Sequence, residues 1–341
     1  MPAIRPLVSV IMPVRNAARS LSAALESLTK QDMADFEIVA VNDGSTDETG
    51  EALEMYSWIE PRLRIIHQEH AGIVNALNTG IQSARAGFIA RMDADDECRP
   101  ERLRLQSGYL LETPETGLVS CLVEYGGNRK ENAGYAAFTD WANSVVTRED
   151  ISLMRFVESP LPHPSVMFRK ELVGLYGGYR QGAFPEDYEL WLRWLESGVV
   201  MQKVPAKLMT WNDPPDRLSR TDERYSSDSF YRIKSSYLVR WLERFNPFHP
   251  EVVLIGSGRT TRKRAEMLEE KGVEISAFVD VDPRKIGKEI GGRPVLSRSQ
   301  MPFAGDCFAL SYVASRGARE EIRAFLETRG FVMGSDFLLA A

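Results

Sequence analysis

Over its first 125 residues the chain alternates short apolar runs with amphipathic segments. That is the pattern of a mostly parallel sheet with covering helices, because parallel strands need a crossover long enough to return the chain to the same end. Predicted strands cover residues 7–12, 36–41, 63–67, 88–92 and 118–123, and Pro13 is expected to stop the first. Leu21, Leu25 and Leu28 recur at helical spacing, a second helix is expected around residues 51–56, and Ile73, Leu77, Ile81 and Ala84 mark the apolar face of a third. Pro100 is placed to begin a helix through residues 103–111. The fold class is α/β. Beyond residue 125 the alternation loosens, and residues 126–165 read as loops.

Three of these strands end in ligand-type residues: Pro13-Val14-Arg15-Asn16, Asn42-Asp43-Gly44-Ser45 and Asp93-Ala94-Asp95-Asp96. Open α/β sheets bind ligands beyond the carboxyl ends of their strands, so three clusters on one edge point to a nucleotide site. Asp43 can accept from a base imide or ribose hydroxyls, or simply cap the next helix. Asp93 and Asp95, taken as continuing a strand, would point to the same side and share one hard divalent cation carrying phosphates; the alternative is a polar turn. Further on, Glu186-Asp187-Tyr188-Glu189-Leu190-Trp191-Leu192-Arg193-Trp194 opens an amphipathic helix with Leu190, Trp191 and Trp194 toward the core. Asp187 there either serves the helix dipole or acts as a fixed general base. His163, in the proline-stiffened segment 159–169, reads as a buried, hydrogen-bonded histidine or a substrate contact.

The net charge of −6 argues against a nucleic-acid partner, which would require a broad basic footprint. Three separated cysteines, Cys98, Cys121 and Cys307, indicate neither a disulfide framework nor a zinc cluster, and suit a reducing cytoplasmic setting. No apolar run reaches bilayer length, and residues 1–6 lack the apolar core of a signal peptide, so neither a span nor export is expected. The patches Arg240 with Arg244, and Arg259 with Arg262, Lys263 and Arg264, are either solvated helix faces or a peripheral membrane contact.

Taken together, Val8-Ser9-Val10-Ile11-Met12-Pro13-Val14-Arg15-Asn16, Val41-Asn42-Asp43-Gly44-Ser45-Thr46-Asp47, Met92-Asp93-Ala94-Asp95-Asp96 and Glu186-Asp187-Tyr188-Glu189-Leu190-Trp191 resemble the family 2 glycosyltransferases, over roughly residues 5–240. The resemblance implies a GT-A fold, a nucleotide-sugar donor with UDP as the leading base, a divalent metal (Mn or Mg), inversion at the anomeric carbon, and a carbohydrate or lipid-linked acceptor. By the family's pattern Pro13 and Val14 would line the base and ribose pocket and Asp43 would contact base or ribose. Asp93, Ala94 and Asp95 would form its Asp-x-Asp, with Asp95 the direct metal ligand, and Asp187 would deprotonate the acceptor with a carboxylate of ordinary pKa. The Gln-x-x-Arg-Trp motif of processive synthases is missing, which favours transfer of a single sugar. Leu77-Asn78 stands where many relatives carry Arg-Asn, so the base contact differs. Arg217 or Arg220 lies where relatives close a lid and can reach a diphosphate.

Near residue 246 the pattern restarts, giving expected domains of 1–245 and 246–341. Glu251-Val252-Val253-Leu254-Ile255-Gly256-Ser257-Gly258 is a strand entering a Gly-x-Gly turn, and Asp280 stands where a ribose-binding acid belongs, so this domain is Rossmann-like. Thr261 replaces the third glycine. The domain's role is either structural or a second ligand site. Two rival activities follow: a nicotinamide-dependent oxidoreductase working through this domain, and a sugar-phosphate nucleotidyltransferase. The second would need a glycine-rich loop after the first strand, where residues 14–19 contain no glycine.

Overall fold

The computed structural model describes residues 5–215, 217–315 and 317–341. By their contacts the residues divide into two units: 1–151, 160–182 and 186–222 in the first, and 152–159, 183–185 and 223–341 in the second.

The first unit is an α/β fold around an eight-stranded sheet. In chain order it holds β1 (Val8–Val14), α1 (Leu21–Thr29), β2 (Phe36–Asp43), α2 (Thr49–Ile59), β3 (Leu63–Gln68), α3 (Ile73–Ser83), β4 (Phe88–Arg91), β5 (Glu97–Cys98), α4 (Arg102–Glu112), β6 (Thr116–Tyr125), α5 (Ala133–Ser144) and the start of α6 (Arg148–Met154), whose last three residues group with the second unit. β7 (Met167–Arg169), α7 (Glu171–Tyr176), α8 (Glu186–Glu196), β8 (Val200–Trp211) and α9 (Leu218–Thr221) complete it. The strand order is β3-β2-β1-β4-β7-β6-β8-β5, with β1, β2, β3 and β4 parallel and β7 antiparallel to both β4 and β6. The direction of strand succession therefore reverses between β1 and β4, the point at which such sheets leave a crevice beyond their carboxyl ends.

One face of β1 sends Val8, Val10, Met12 and Val14 into a core with Leu21, Leu25 and Leu28 of α1. The other face meets α3 closely: a Cβ on Gly80 would sit 2.5 Å from Ile11 Cγ2, so only glycine lets that helix lie on the sheet. All of β2 is buried, which accounts for its near-continuous apolar run.

Three expectations need correction. Pro13 does not stop β1, which runs on to Val14 paired with Asn42. Ile11 faces β4, where its carbonyl accepts from Met92 N (3.1 Å), and Pro13 faces the same way two residues on. β4 has ended by then, so no ladder partner misses the absent N–H. Residues 126–165 are not loop throughout, since α5 and α6 lie within them. α5 has no acidic residue in its first turn, and Asn132 at its N-cap makes no side-chain cap bond, so its start is weakly marked. The helix after Pro100 starts at Arg102 rather than at the proline.

The second unit contains α10 (Ser227–Phe245), β9 (Glu251–Ile255), α11 (Arg259–Glu269), β10 (Glu274–Val279), β11 (Glu289–Ile290), β12 (Arg293–Leu296), β13 (Ala309–Ser311), α12 (Ala318–Thr328) and β14 (Phe337–Leu339). Its sheet runs β11-β12-β10-β9-β13-β14, parallel except for β11. This is the Rossmann order, with its own reversal between β9 and β13. α10 precedes residue 246 yet groups here: buried Lys234 donates to the carbonyls of Val157 (2.9 Å) and Ala340 (3.1 Å) and sits 4.1 Å from the Tyr231 ring centroid.

Candidate active site

The loops leaving β1 and β2 are joined by side chain to backbone bonds. Asn16, in the left-handed region at φ 50°, accepts from Thr46 N (2.8 Å) and donates its own N–H to Ser45 Oγ (3.0 Å), while Ala17 N donates to Thr49 Oγ1 (2.8 Å). Gly44 turns the chain at φ 64°, where a Cβ would lie 2.7 Å from His70 N. Pro13 and Val14 occupy the last two positions of β1, at the mouth of the crevice.

Asp43 is buried and accepts four bonds from the end of β3 and the segment that follows it: Gln68 Nε2 (2.6 Å), His70 Nδ1 (2.8 Å), Ala71 N (2.9 Å) and Gly72 N (2.9 Å). Burial works to raise its pKa, but these donors outweigh it and hold the carboxylate below its ordinary range. A carboxylate has about four lone-pair sites, so Asp43 shapes the crevice by fixing the β3–α3 connection. His70 passes the link onward, its Nε2 lying 2.9 Å from Arg15 Nη1.

The acidic cluster departs from a strand geometry. β4 ends at Arg91, and Asp93 to Asp96 form a turn in which Asp96 N donates to Asp93 O (3.4 Å). Turning brings in a third carboxylate that strand alternation would have sent to the other face: an oxygen from each of Asp93, Asp95 and Asp96 lies within 4.8 Å of the others. Ala94 is the buried spacer between them. Burial, then the Asp93 charge, raises the Asp95 carboxyl to about 6, and burial pushes Asp96 well above its usual range. Arg91, itself buried, forms an ion pair with Asp93. Asn212 at the end of β8 ties the turn down, donating its backbone N–H to Asp96 Oδ1 (2.8 Å) and its side chain to Asp95 O (2.8 Å). Such a set of hard oxygens fits Mg²⁺ or Mn²⁺.

α8 begins with Glu186, Asp187 and Glu189 in its first turn, and Tyr188, Leu190, Trp191 and Trp194 are fully buried. The Asp187 carboxyl is raised to about 7, first by burial and then by Glu186, against the pull of the Tyr188 N–H (2.7 Å to Oδ1) and of Arg91. An ordinary pKa was expected here. The sequence could not show that the helix start is largely buried, with buried Glu186 in charge reach of the half-buried Asp187. The stabilising charges on Arg91 come from Asp93 and Asp96 among others, so one buried guanidinium is in electrostatic reach of both the acidic turn and Asp187. His163 is buried and its Nε2 lies 2.7 Å from Tyr179 Oη; burial and the Arg91 charge keep it neutral. Asn78 holds both backbone groups of Tyr179 (2.9 and 3.1 Å).

From sequence Asp96 is read only as the end of the cluster Asp93-Ala94-Asp95-Asp96, and Arg91 and Asn212 are given no role of their own. For Arg91 the signal was adjacency to Asp93 and Asp95; the bonds of Asn212 to the turn had no local signal, since they join residues more than a hundred positions apart. Arg217 and Arg220 are committed to Asp213 (3.8 and 2.6 Å), and Arg217 also stacks on Trp211 at 4.2 Å. Its charge nonetheless lowers the proton affinity of Asp95 and Asp96.

In the second unit a cavity of about 470 Å³ opens beside Gly256, Ser257, Gly258 and Asp280. Asp280 is not poised for a ribose: its carboxylate accepts from Ser257 N (2.9 Å), Ser257 Oγ, Asp282 N (2.9 Å) and Lys285 Nζ (3.2 Å). Of the basic patches, Lys263 pairs with Asp228 (2.7 Å) and Arg264 lies over the Tyr231 ring at 3.9 Å. Among the described residues no helix is long and apolar enough to cross a membrane.

Comparison with known proteins bears on the family and the fold. The model of Glycosyl transferase family 2 matches residues 9–175, and that of the CoA binding domain matches residues 249–330. The amylovoran biosynthesis glycosyltransferase AmsE of Erwinia amylovora is 30% identical over 260 residues, covering 71% of this chain and 95% of AmsE. Among solved structures, S. aureus TarS 1-349 in complex with UDP-GlcNAc superposes with a TM-score of 0.55 at 18% identity, over 77% of this chain and 70% of TarS 1-349. The mannosyltransferase PcManGT from Pyrobaculum calidifontis, in complex with GDP-Man and Mn²⁺, gives 0.50 at 20% identity, over 79% and 70%. These likenesses establish a GT-A fold. With a relative matched along nearly its whole length, the chain belongs to glycosyltransferase family 2 and is a glycosyltransferase.

Proposed function

We propose that the protein is an inverting, metal-dependent transferase that moves one sugar from a nucleoside diphosphate, UDP in the first instance, to a hydroxyl of a carbohydrate or lipid-linked acceptor in polysaccharide, glycolipid or glycan assembly. The observation that carries this reading is the pairing of an acidic turn with a half-buried carboxylate, Asp187, around the buried Arg91. Pro13 and Val14 line the base and ribose side, and Asp43 holds that wall in place. Asp93 and Asp95 hold the cation through their carboxylates; when bound, Mn²⁺ or Mg²⁺ supplies positive charge for the diphosphate as its bond to the sugar breaks.

On the acceptor side Asp187 performs the proton transfer. Tyr188 N–H occupies Oδ1, which leaves Oδ2 to receive the hydroxyl proton as the acceptor oxygen bonds the anomeric carbon and the diphosphate departs from the opposite face. Attack opposite the leaving group inverts the centre in a single displacement. A raised pKa makes Asp187 a stronger base than a solvated carboxylate, which suits a weakly acidic hydroxyl.

TarS carries a uridine nucleotide and PcManGT a guanosine one, so the base is settled by titration. Calorimetry of the whole protein with UDP and GDP, with and without Mn²⁺, beside Asp95→Ala, is the test. One nucleotide should bind only with Mn²⁺ and be lost in the variant. Equal binding without metal would overturn metal dependence.

A further inference from the structure

We infer that Asp96 is a third carboxylate ligand of the divalent cation, a role the Asp-x-Asp pattern gives only to its neighbours; the inference rests on the metal-dependent reading above. Asp96 is 1% exposed, and its two oxygens are in different situations. Oδ1 accepts from Asn212 N at 2.8 Å. Oδ2 is buried without a hydrogen-bond partner. A buried carboxylate oxygen with no partner is strongly unfavourable, and a cation is the partner that would satisfy it. The neighbouring carboxylates are in place for a shared ion, because an oxygen of each of the three lies within 4.8 Å of the others.

Charge accounting favours the same assignment. The Arg91 guanidinium is paired with Asp93, so part of the negative charge of Asp93 is already matched inside the protein. Among the described residues Asp95 and Asp96 have no comparable ion pair; Asn212 gives each only a neutral donor, to Asp95 through its main-chain oxygen. A divalent ion held chiefly by Asp95 and Asp96 would balance two carboxylates with two charges. Because Asp96 Oδ1 also fixes the end of β8, the cation then rests against the segment that carries Trp211, Asn212 and Asp213.

The test is Mn²⁺ binding to the full chain, by calorimetry and by the loss of the free-ion paramagnetic resonance signal, for wild type, Asp95→Asn and Asp96→Asn. Asparagine keeps an acceptor for Asn212 N–H, so melting temperature is followed alongside. Asp96→Asn should weaken Mn²⁺ at least about tenfold, the order found for groups that support a metal site. Asp96→Asn within twofold of wild type, with binding lost in Asp95→Asn, would overturn the assignment and leave the metal-dependent reading standing. Absence of Mn²⁺ and Mg²⁺ binding to wild type, with or without UDP or GDP, would remove both. Should Asp96→Asn melt early, a wild-type crystal structure with Mn²⁺ decides: Asp96 Oδ2 at roughly 2.0–2.2 Å from the ion supports the inference, and Oδ2 outside the coordination sphere overturns it.

Discussion

The two units solve the same topological problem and leave opposite chemistry behind. In the first, strand succession reverses between β1 and β4, and the crevice receives three carboxylates, one with a buried oxygen lacking a partner. In the second it reverses between β9 and β13, and the carboxylate that follows β10 there, Asp280, is satisfied by Ser257, Asp282 and Lys285. Topology supplies a crevice; what the crevice can bind depends on which polar atoms the fold leaves unmatched. The same contrast runs inside the first unit, where Asp43 is as fully matched as Asp280 while Asp95 and Asp96 are not.

The comparison is best broken at Asp187. Asp187→Asn keeps an acceptor for the Tyr188 N–H and removes the base, so kcat should fall by about 10²–10⁴ while nucleotide affinity stays near wild type. Weak transfer together with lost nucleotide affinity would place Asp187 in the donor crevice instead. Next comes Asp95→Ala, expected to cost diphosphate affinity on the order of 100-fold in Mn²⁺ and little without it. The second crevice gives a smaller effect of another kind: Asp280→Ala leaves Ser257 and Asp282 N–H groups and Lys285 without their acceptor, which should lower folding stability by roughly 1–3 kcal/mol in thermal unfolding. Mn²⁺ affinity should not move; a change there would mean the second crevice is also a cation site.

The smallest effect sharpens the electrostatics. Asp187 must be ionised to act, and with its carboxyl raised to about 7 the ionised fraction falls as pH drops through that value, so kcat/KM should decline on the acid side of neutrality. Glu186→Gln removes a neighbouring negative charge that raises Asp187 and should move that limb to lower pH. A limb unmoved by the substitution would assign it to another group.

Much of the fold was legible. Strands β1 to β4 and helices α1 to α4 follow from apolar periodicity, because a buried strand and an amphipathic crossover leave different patterns in the chain. α5 escaped because Asn132 is the lone start signal before it and no acidic residue follows in its first turn, and Pro13 misled because its tolerance depends on where the neighbouring strand ends. Asp43, Asp93, Asp95 and Asp187 could be picked out as polar residues at element ends. Their states could not: the saturation of Asp43 and the raised pKa of Asp187 come from donors and charges brought by other segments.

By itself, then, the sequence determined which elements form and which of their ends carry carboxylates, since both are local properties of side-chain pattern. Only the tertiary structure decided which of those carboxylates keep a charge in need of a partner. It turned Asp93 to Asp96 so that three oxygens converge, placed Arg91 against one of them, and brought Asn212 from a distant strand to hold another. Burial and hydrogen-bond satisfaction are sums over neighbours, and neighbours from distant segments exist only once the chain has folded.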